Sequence, residues 1–121
     1  MHLAIASTWG PTDTTRATLP FLHARAAREQ GDSVTLMLLH DAVLLAVGDL
    51  AHEIRACGPP ELGPIFDALV ADPEVTVIAC KPCVVARRIT EDQLHEGVRL
   101  GTMGDYHRAI RENQATVSNY G

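Results

Sequence analysis

Two short apolar runs, SVTLMLLH (33–40) and EVTVIAC (74–80), limit the fold of this chain more than any other feature. Each run is too short for most helices and almost free of charged residues, which is typical of strands buried on both faces of a sheet. HLAIAS (2–7) predicts another short strand that ends before the turn formed by Gly10 and Pro11. ATVSNY (115–120) predicts a last strand.

The segments between these strands have helical composition. In the first of them, Leu19, Leu22 and Ala26 lie at helical spacing, and Pro20 either lies in the first turn or kinks the helix. We expect helices over residues 14–31, 41–48, 61–72, 90–97 and 105–114. Alternating strands and helices predict an α/β fold with a mostly parallel sheet covered by helices on both faces. The 121 residues are enough for one domain, spanning residues 1–121.

Composition excludes several classes of protein. The formal charge of −5 argues against nucleic-acid binding, which usually requires a basic surface. No apolar run approaches the roughly 20 residues that cross a bilayer, and the first ten residues lack the pattern of a signal peptide. Three cysteines, an odd number, do not form a secreted disulfide framework, so we expect a cytoplasmic protein.

Three polar segments follow predicted strands: STWG, HDA and CKPC. In parallel sheets these segments share the edge where ligands bind. Cys80 closes a strand and Cys83 follows one turn later, so a helix N-terminus together with Lys81, Arg87 and Arg88 is expected to stabilise a thiolate on Cys80. The two cysteines are the predicted catalytic residues, and the three cations are predicted to bind an anionic sulfur compound.

Trp9 and His40 are weaker candidates for the same binding site. Trp9 either lines the crevice or caps the core, and His40 either polarises a ligand or simply satisfies its hydrogen bonds at the sheet edge. Cys57 lies in a predicted loop and is interpreted as a spectator, with a resolving role left open.

Other interpretations of the cysteine pair are open from the residues alone. Cys80 could be a small buried apolar residue. A structural zinc site needs four ligands, but only Cys57 and scattered histidines remain to complete it, so we expect no metal and no cofactor. A thioredoxin-like oxidoreductase would carry its Cys-x-x-Cys pair nearer the start of the chain.

The segment ACKPCVVARRITEDQLHEGVRLGTM resembles the DsrE/DsrF-like family, which includes sulfur-relay subunits. The likeness extends to GPTDTTRATLPFLHARAAREQGDSVTLMLLHDAVLLA, to CGPPELGPIFDAL and to the closing strand. The resemblance implies a three-layer α/β/α sandwich with a five-stranded, mostly parallel sheet, and assembly as trimers, hexamers or hetero-hexamers. The family commonly has Gly after the arginine, where this chain has Arg88, and we expect the local turn to differ.

The resemblance places a persulfide on Cys80 and makes Cys83 the additional cysteine found in part of the family. It leads to the hypothesis of a cytoplasmic sulfur carrier, related to sulfurtransferases, that forms a homo-oligomer and works with sulfur-donor and sulfur-acceptor proteins. In this hypothesis Cys83 resolves the persulfide. The alternative is a non-catalytic oligomeric module that binds a small ligand or a partner in the same crevice. Neither hypothesis includes nucleic acid or a membrane.

Overall fold

A computed structural model describes residues 1–121. Its five strands form one sheet in the order β4-β3-β2-β1-β5, and every neighbouring pair is parallel. The strands are β1 (His2–Ser7), β2 (Ser33–Leu38), β3 (Val75–Cys80), β4 (Val98–Gly101) and β5 (Thr116–Tyr120). The expected five-stranded α/β fold is confirmed.

Helices cover both faces of this sheet. The α-helices are α1 (Thr14–Glu29), α2 (Leu62–Ala71), α3 (Lys81–Ala86) and α4 (Met103–Asn113). α1 and α2 pack on one face, where Phe21 and Phe66 bring their ring centroids within 5.8 Å, and α4 packs on the other face. Three 3₁₀ helices lie in the connections, at His40–Ala46, Leu50–Glu53 and Glu91–Gln93. None of the helices is long and apolar enough to cross a bilayer.

Helix α1 differs from its prediction in the face that it buries. Asp13 caps the helix by accepting the Arg16 backbone N–H at 3.0 Å, so the helix begins at Thr14 and contains Pro20 in its interior. The buried face includes Ala17, Phe21 and Ala24, whereas Leu19 and Ala26, two of the three residues named for their helical spacing, are exposed. The core side of this helix therefore carries the small and aromatic residues that fit closely against the sheet.

Residues 90–101 also differ from the prediction of one helix over 90–97. Thr90 caps the N-terminus of a helix here, but this helix is a 3₁₀ helix of only three residues, Glu91–Gln93. The chain then enters β4, a four-residue strand that its pattern did not predict. β4 exists because it pairs with β3 from Val77 to Cys80, a tertiary contact that local propensity does not encode.

The register of the sheet determines where the functional residues meet. Ser7 pairs with Leu38, Leu38 pairs with Ala79, and Cys80 pairs with Gly101. The carboxyl ends of β1, β2 and β3 therefore lie side by side, and the segments that follow them open on one edge. This confirms the placement expected for STWG, HDA and CKPC.

Candidate functional site

The two cysteines of the Cys-x-x-Cys pair lie at the end of β3. Cys80 is the last residue of the strand and is only 7% exposed. Cys83 is half-buried in the first turn of α3. All three cysteines of the chain are free thiols, and Cys83 lies close enough to Cys80 to influence the pKa of its thiol. The structure therefore brings two reduced thiols together at the predicted edge of the sheet.

The Cys80 thiol is not stabilised as a thiolate in this arrangement. Burial raises its pKa, and the hydrogen bond with the Cys83 side chain raises it further, while the Cys83 backbone N–H and Arg87 act in the opposite direction with smaller effect. This direction is opposite to the one expected from the sequence. The reason is that the thiol is buried at the end of β3, where only 7% of the residue is exposed and loss of solvent disfavours the charged form.

Arg87, at the end of α3, ties several parts of the site together. Its Nε and Nη2 donate to Asp41 Oδ1 at 3.1 and 2.8 Å. Its Nη1 donates to the Cys83 carbonyl at 3.1 Å, and Nη2 also donates to His40 Nδ1 at 2.9 Å. The Arg87 hydrogen bond holds the pKa of Asp41 below its ordinary value. An anionic ligand would therefore have to displace Asp41 before it could form a bidentate pair with Arg87.

His40 is held at the site through both its backbone and its ring. Its backbone N–H donates to Cys83 Sγ at 3.2 Å. Its Nδ1 accepts from Arg87, and because a guanidinium group can only donate, the hydrogen-bond network assigns the ring proton of a neutral His40 to Nε2. The backbone of His40 has φ of 51°, a left-handed conformation that is uncommon outside glycine.

Asp41 is a functional candidate that the sequence patterns did not single out. It follows His40 directly, and it accepts two of the four hydrogen bonds that the Arg87 guanidinium donates. The sequence feature that could have identified Asp41 is its position just after a buried strand, in the HDA segment that is predicted to lie at the ligand-binding edge of the sheet.

Trp9 and His40 line one crevice, next to the cysteine pair. The crevice has a volume of about 210 Å³ and is lined by Thr8, Trp9, Gly10, Thr12, His40 and Asp41. The guanidinium carbon of Arg16 lies 4.8 Å from the centre of the Trp9 ring, which holds this side of the crevice in place. Gly10 is required by close packing, because a Cβ there would overlap the Asp41 carbonyl.

The side chains of Lys81 and Arg88 are exposed and make no hydrogen bond or ion pair within the chain. Arg88 has φ of 56°, so the turn keeps the left-handed conformation that favours glycine. The expectation that the turn would differ at this position is wrong. The roles of Lys81 and Arg88 in binding an anion remain predictions.

Two other features lie apart from the cysteine pair. Cys57 is exposed in the loop before α2, where its backbone N–H donates to Thr15 Oγ1 at 2.9 Å. A larger groove of about 410 Å³ lies beside α4, over the first residues of β1 and β2, and contains no cysteine. No three His, Cys, Asp or Glu side chains are arranged to hold a metal ion.

Comparison with known proteins identifies relatives that span nearly the whole chain. The model of the DsrE/DsrF-like family matches residues 1–118. Protein MK0008 of Methanopyrus kandleri, which is uncharacterised, is 28% identical over 109 residues, covering 88% of this chain and 84% of its own length.

Solved structures show the same fold. The YchN protein of E. coli superposes with a TM-score of 0.76 at 24% identity, covering 99% of both chains. MTH1491 from Methanobacterium thermoautotrophicum superposes with a TM-score of 0.72 at 16% identity, covering 98% of this chain and 97% of its own. BT1422 from Bacteroides thetaiotaomicron gives a TM-score of 0.60 at 16% identity, covering 98% of this chain and 93% of its own.

Proposed function

Because this chain belongs to the DsrE/DsrF-like family, we propose that it is a sulfur carrier that holds sulfur as a persulfide on Cys80. The observation that carries the proposal is the pair of free thiols, Cys80 at the end of β3 and Cys83 one helical turn later, at the edge of a parallel sheet where ligands bind. Family membership supports a fold of the sulfur-relay type. The thiol pair supplies the chemistry that such a fold would use.

The proposed release step uses the second thiol. Once Cys80 carries a persulfide, the thiolate of Cys83 attacks the inner sulfur, a Cys80–Cys83 disulfide forms, and hydrosulfide leaves with the electron pair of the broken S–S bond. A cellular dithiol then reduces the disulfide and restores both thiols. The cycle needs a reducing compartment, which is why we place the protein in the cytoplasm with separate donor and acceptor proteins.

Mass spectrometry after incubation with glutathione persulfide tests this proposal. The wild-type protein and the Cys57→Ser control should both gain the mass of one sulfur atom. A glutamate-specific protease releases residues 75–91 with Cys80 and Cys83 but without Cys57, and fragmentation should place the added sulfur on Cys80. No gain in mass, or a gain confined to Cys57, would refute the proposal.

A second candidate function is that of a non-catalytic binding module. The observation that favours it is the crevice beside Trp9, whose six lining residues include no cysteine. Such a module would retain a bound small molecule in a variant with all three cysteines replaced by serine. Native mass spectrometry of that variant separates the candidates, because a sulfur carrier without its thiols has nothing left to hold its cargo.

We also propose that the chain assembles into a homotrimer or homohexamer. Members of the family are often oligomeric, and both outer strands, β4 and β5, present unpaired backbone groups at the edges of the sheet. Light scattering at micromolar concentrations should give a multiple of the 13.1 kDa chain mass. A constant monomer mass over that range would refute the assembly.

A further inference from the structure

We propose that Cys83, not Cys80, is the receiving thiol that first takes sulfur from the donor, and that Arg87 is the positioning residue that prepares it. This inference rests on the proposed function, because it treats Cys80 as the place where the sulfur finally resides. It differs from that function in the order of events. Sulfur enters at the accessible thiol and then moves inward to the buried one.

Access favours Cys83. Cys80 is only 7% exposed at the end of β3, while Cys83 is half-buried in the first turn of α3. Attack on a persulfide requires the donor sulfur to approach the thiolate along the axis of the bond that breaks. A donor bound to another molecule therefore reaches Cys83 first.

The hydrogen bonds around the two sulfurs also favour Cys83. The backbone N–H of His40 points at Cys83 Sγ across 3.2 Å, and a donor aimed at a sulfur stabilises negative charge there. The Arg87 guanidinium is bonded to the Cys83 carbonyl, which brings a positive charge to the same residue. Cys80, by contrast, is held in its neutral form because burial raises the pKa of its thiol.

The His40 amide reaches Cys83 only because the loop after β2 is held in a strained form. The left-handed backbone of His40 is unfavourable for a residue with a Cβ and persists only where surrounding contacts impose it. Arg87 supplies those contacts, since it binds the His40 ring and the Asp41 carboxylate from the end of the helix that carries Cys83. Arg87 therefore fixes the amide and the sulfur relative to each other.

The two transfer steps balance without an added oxidant or reductant. In the first step, the Cys83 thiolate attacks the outer sulfur of a donor persulfide, a new S–S bond forms on Cys83, and the donor leaves as a thiolate. In the second step, Cys80 gives up its proton and attacks the outer sulfur on Cys83, so Cys80 gains the persulfide and Cys83 returns to a thiolate, which takes up a proton.

The test measures alkylation of each thiol by iodoacetamide in the reduced wild-type protein, with the label assigned by fragmentation of peptide 75–91. At neutral pH, Cys83 should react several-fold faster than Cys80, because it is the more exposed thiol and its sulfur accepts the His40 backbone N–H. Equal rates, or faster labelling of Cys80, would overturn the assignment of the receiving thiol.

Arg87→Gln should slow the labelling of Cys83 about fivefold and should move its pH profile to higher pH. Without Arg87 the His40 N–H is no longer held at Cys83 Sγ, and about fivefold is the loss expected for that one hydrogen bond. Arg28→Gln is the matched control. Arg28 and Arg87 are 24% and 23% exposed, and each lies 2.8 Å from a carboxylate oxygen. The control should leave the rate and the profile of Cys83 unchanged.

Arg87→Lys separates position from charge. Lysine keeps the positive charge but cannot bond to Asp41, His40 and the Cys83 carbonyl together, so Cys83 should be nearly as slow as in Arg87→Gln. A rate like that of wild type in Arg87→Lys would refute the positioning role. The wild-type comparison of Cys83 with Cys80 still tests the receiving thiol if an Arg87 variant is unstable.

A sulfur-transfer experiment completes the test. With glutathione persulfide, Cys83→Ser should load Cys80 more slowly than the Cys57→Ser control does, and equal rates would overturn the proposed order. Failure of the wild-type protein to take up sulfur would refute the carrier function instead. The alkylation rates involve no sulfur donor, so they distinguish the two failures.

Discussion

Replacing Arg88 by glycine should stabilise the protein. Arg88 has φ of 56°, and its exposed side chain makes no hydrogen bond or ion pair. Gln114, which ends α4 with φ of 49°, is exposed in the same way. In both residues the side chain contributes little to the stability of the fold, so the backbone conformation decides how a substitution by glycine changes that stability.

The magnitude follows from two opposing effects. A residue with a Cβ in the left-handed region costs about 1–2 kcal/mol, and glycine removes this cost. Glycine also increases the conformational entropy of the unfolded chain, which lowers the free energy of unfolding by about 0.4–1 kcal/mol. The net gain in the free energy of unfolding is about 0.5–1 kcal/mol, which raises the melting temperature of a domain of this size by about 2–4 °C.

Urea titrations followed by circular dichroism, at one fixed protein concentration, measure this gain. Gln114→Gly is the reference, because it tests the same conformation far from the cysteines. His40→Gly is the contrast: it relieves a φ of 51° but removes the ring that accepts from Arg87, so it should give no gain. If Gln114→Gly stabilises the protein and Arg88→Gly destabilises it, the Arg88 side chain makes a stabilising contact and the reasoning is refuted.

Three further predictions concern the site and the core. Mild oxidation should form a Cys80–Cys83 disulfide, which is detected in peptide 75–91 under non-reducing conditions. If Cys83 stays a free thiol while Cys80 gains and releases sulfur normally, then Cys83 is only a packing residue. Arg87 holds the pKa of Asp41 below 3.8, so Asp41 stabilises the fold above that pH and loses this effect as pH falls through the lowered value. Arg87→Gln should therefore show a shallower loss of stability below pH 3.8 in acid urea titrations, and an unchanged slope would contradict this. Tyr106 is 6% exposed, and its buried hydroxyl has no hydrogen-bond partner. Tyr106→Phe should therefore raise the free energy of unfolding by about 1 kcal/mol. A loss of stability in the same titrations would show that the hydroxyl is hydrogen-bonded.

The sequence by itself determined the class of fold and the edge on which the site lies. The apolar runs ending at Leu38 and Cys80 predict buried parallel strands, because an uninterrupted apolar pattern fits only a sheet covered on both faces. Parallel strands then bring their carboxyl ends to one edge, so the positions of Trp9, His40 and Cys80 near one another followed from the chain order.

Only the tertiary structure decided the chemistry at that edge. The strand β4 and the buried face of α1 depend on pairing and packing between distant segments, which local patterns do not record. The low ionisation of Cys80 depends on its burial and on Cys83, and the engagement of Arg87 depends on Asp41, 46 residues away in the chain. Hydrogen bonds and desolvation are set by distances in space, so the residue types predicted the cysteine pair, while the fold determined which of the two thiols meets a donor N–H.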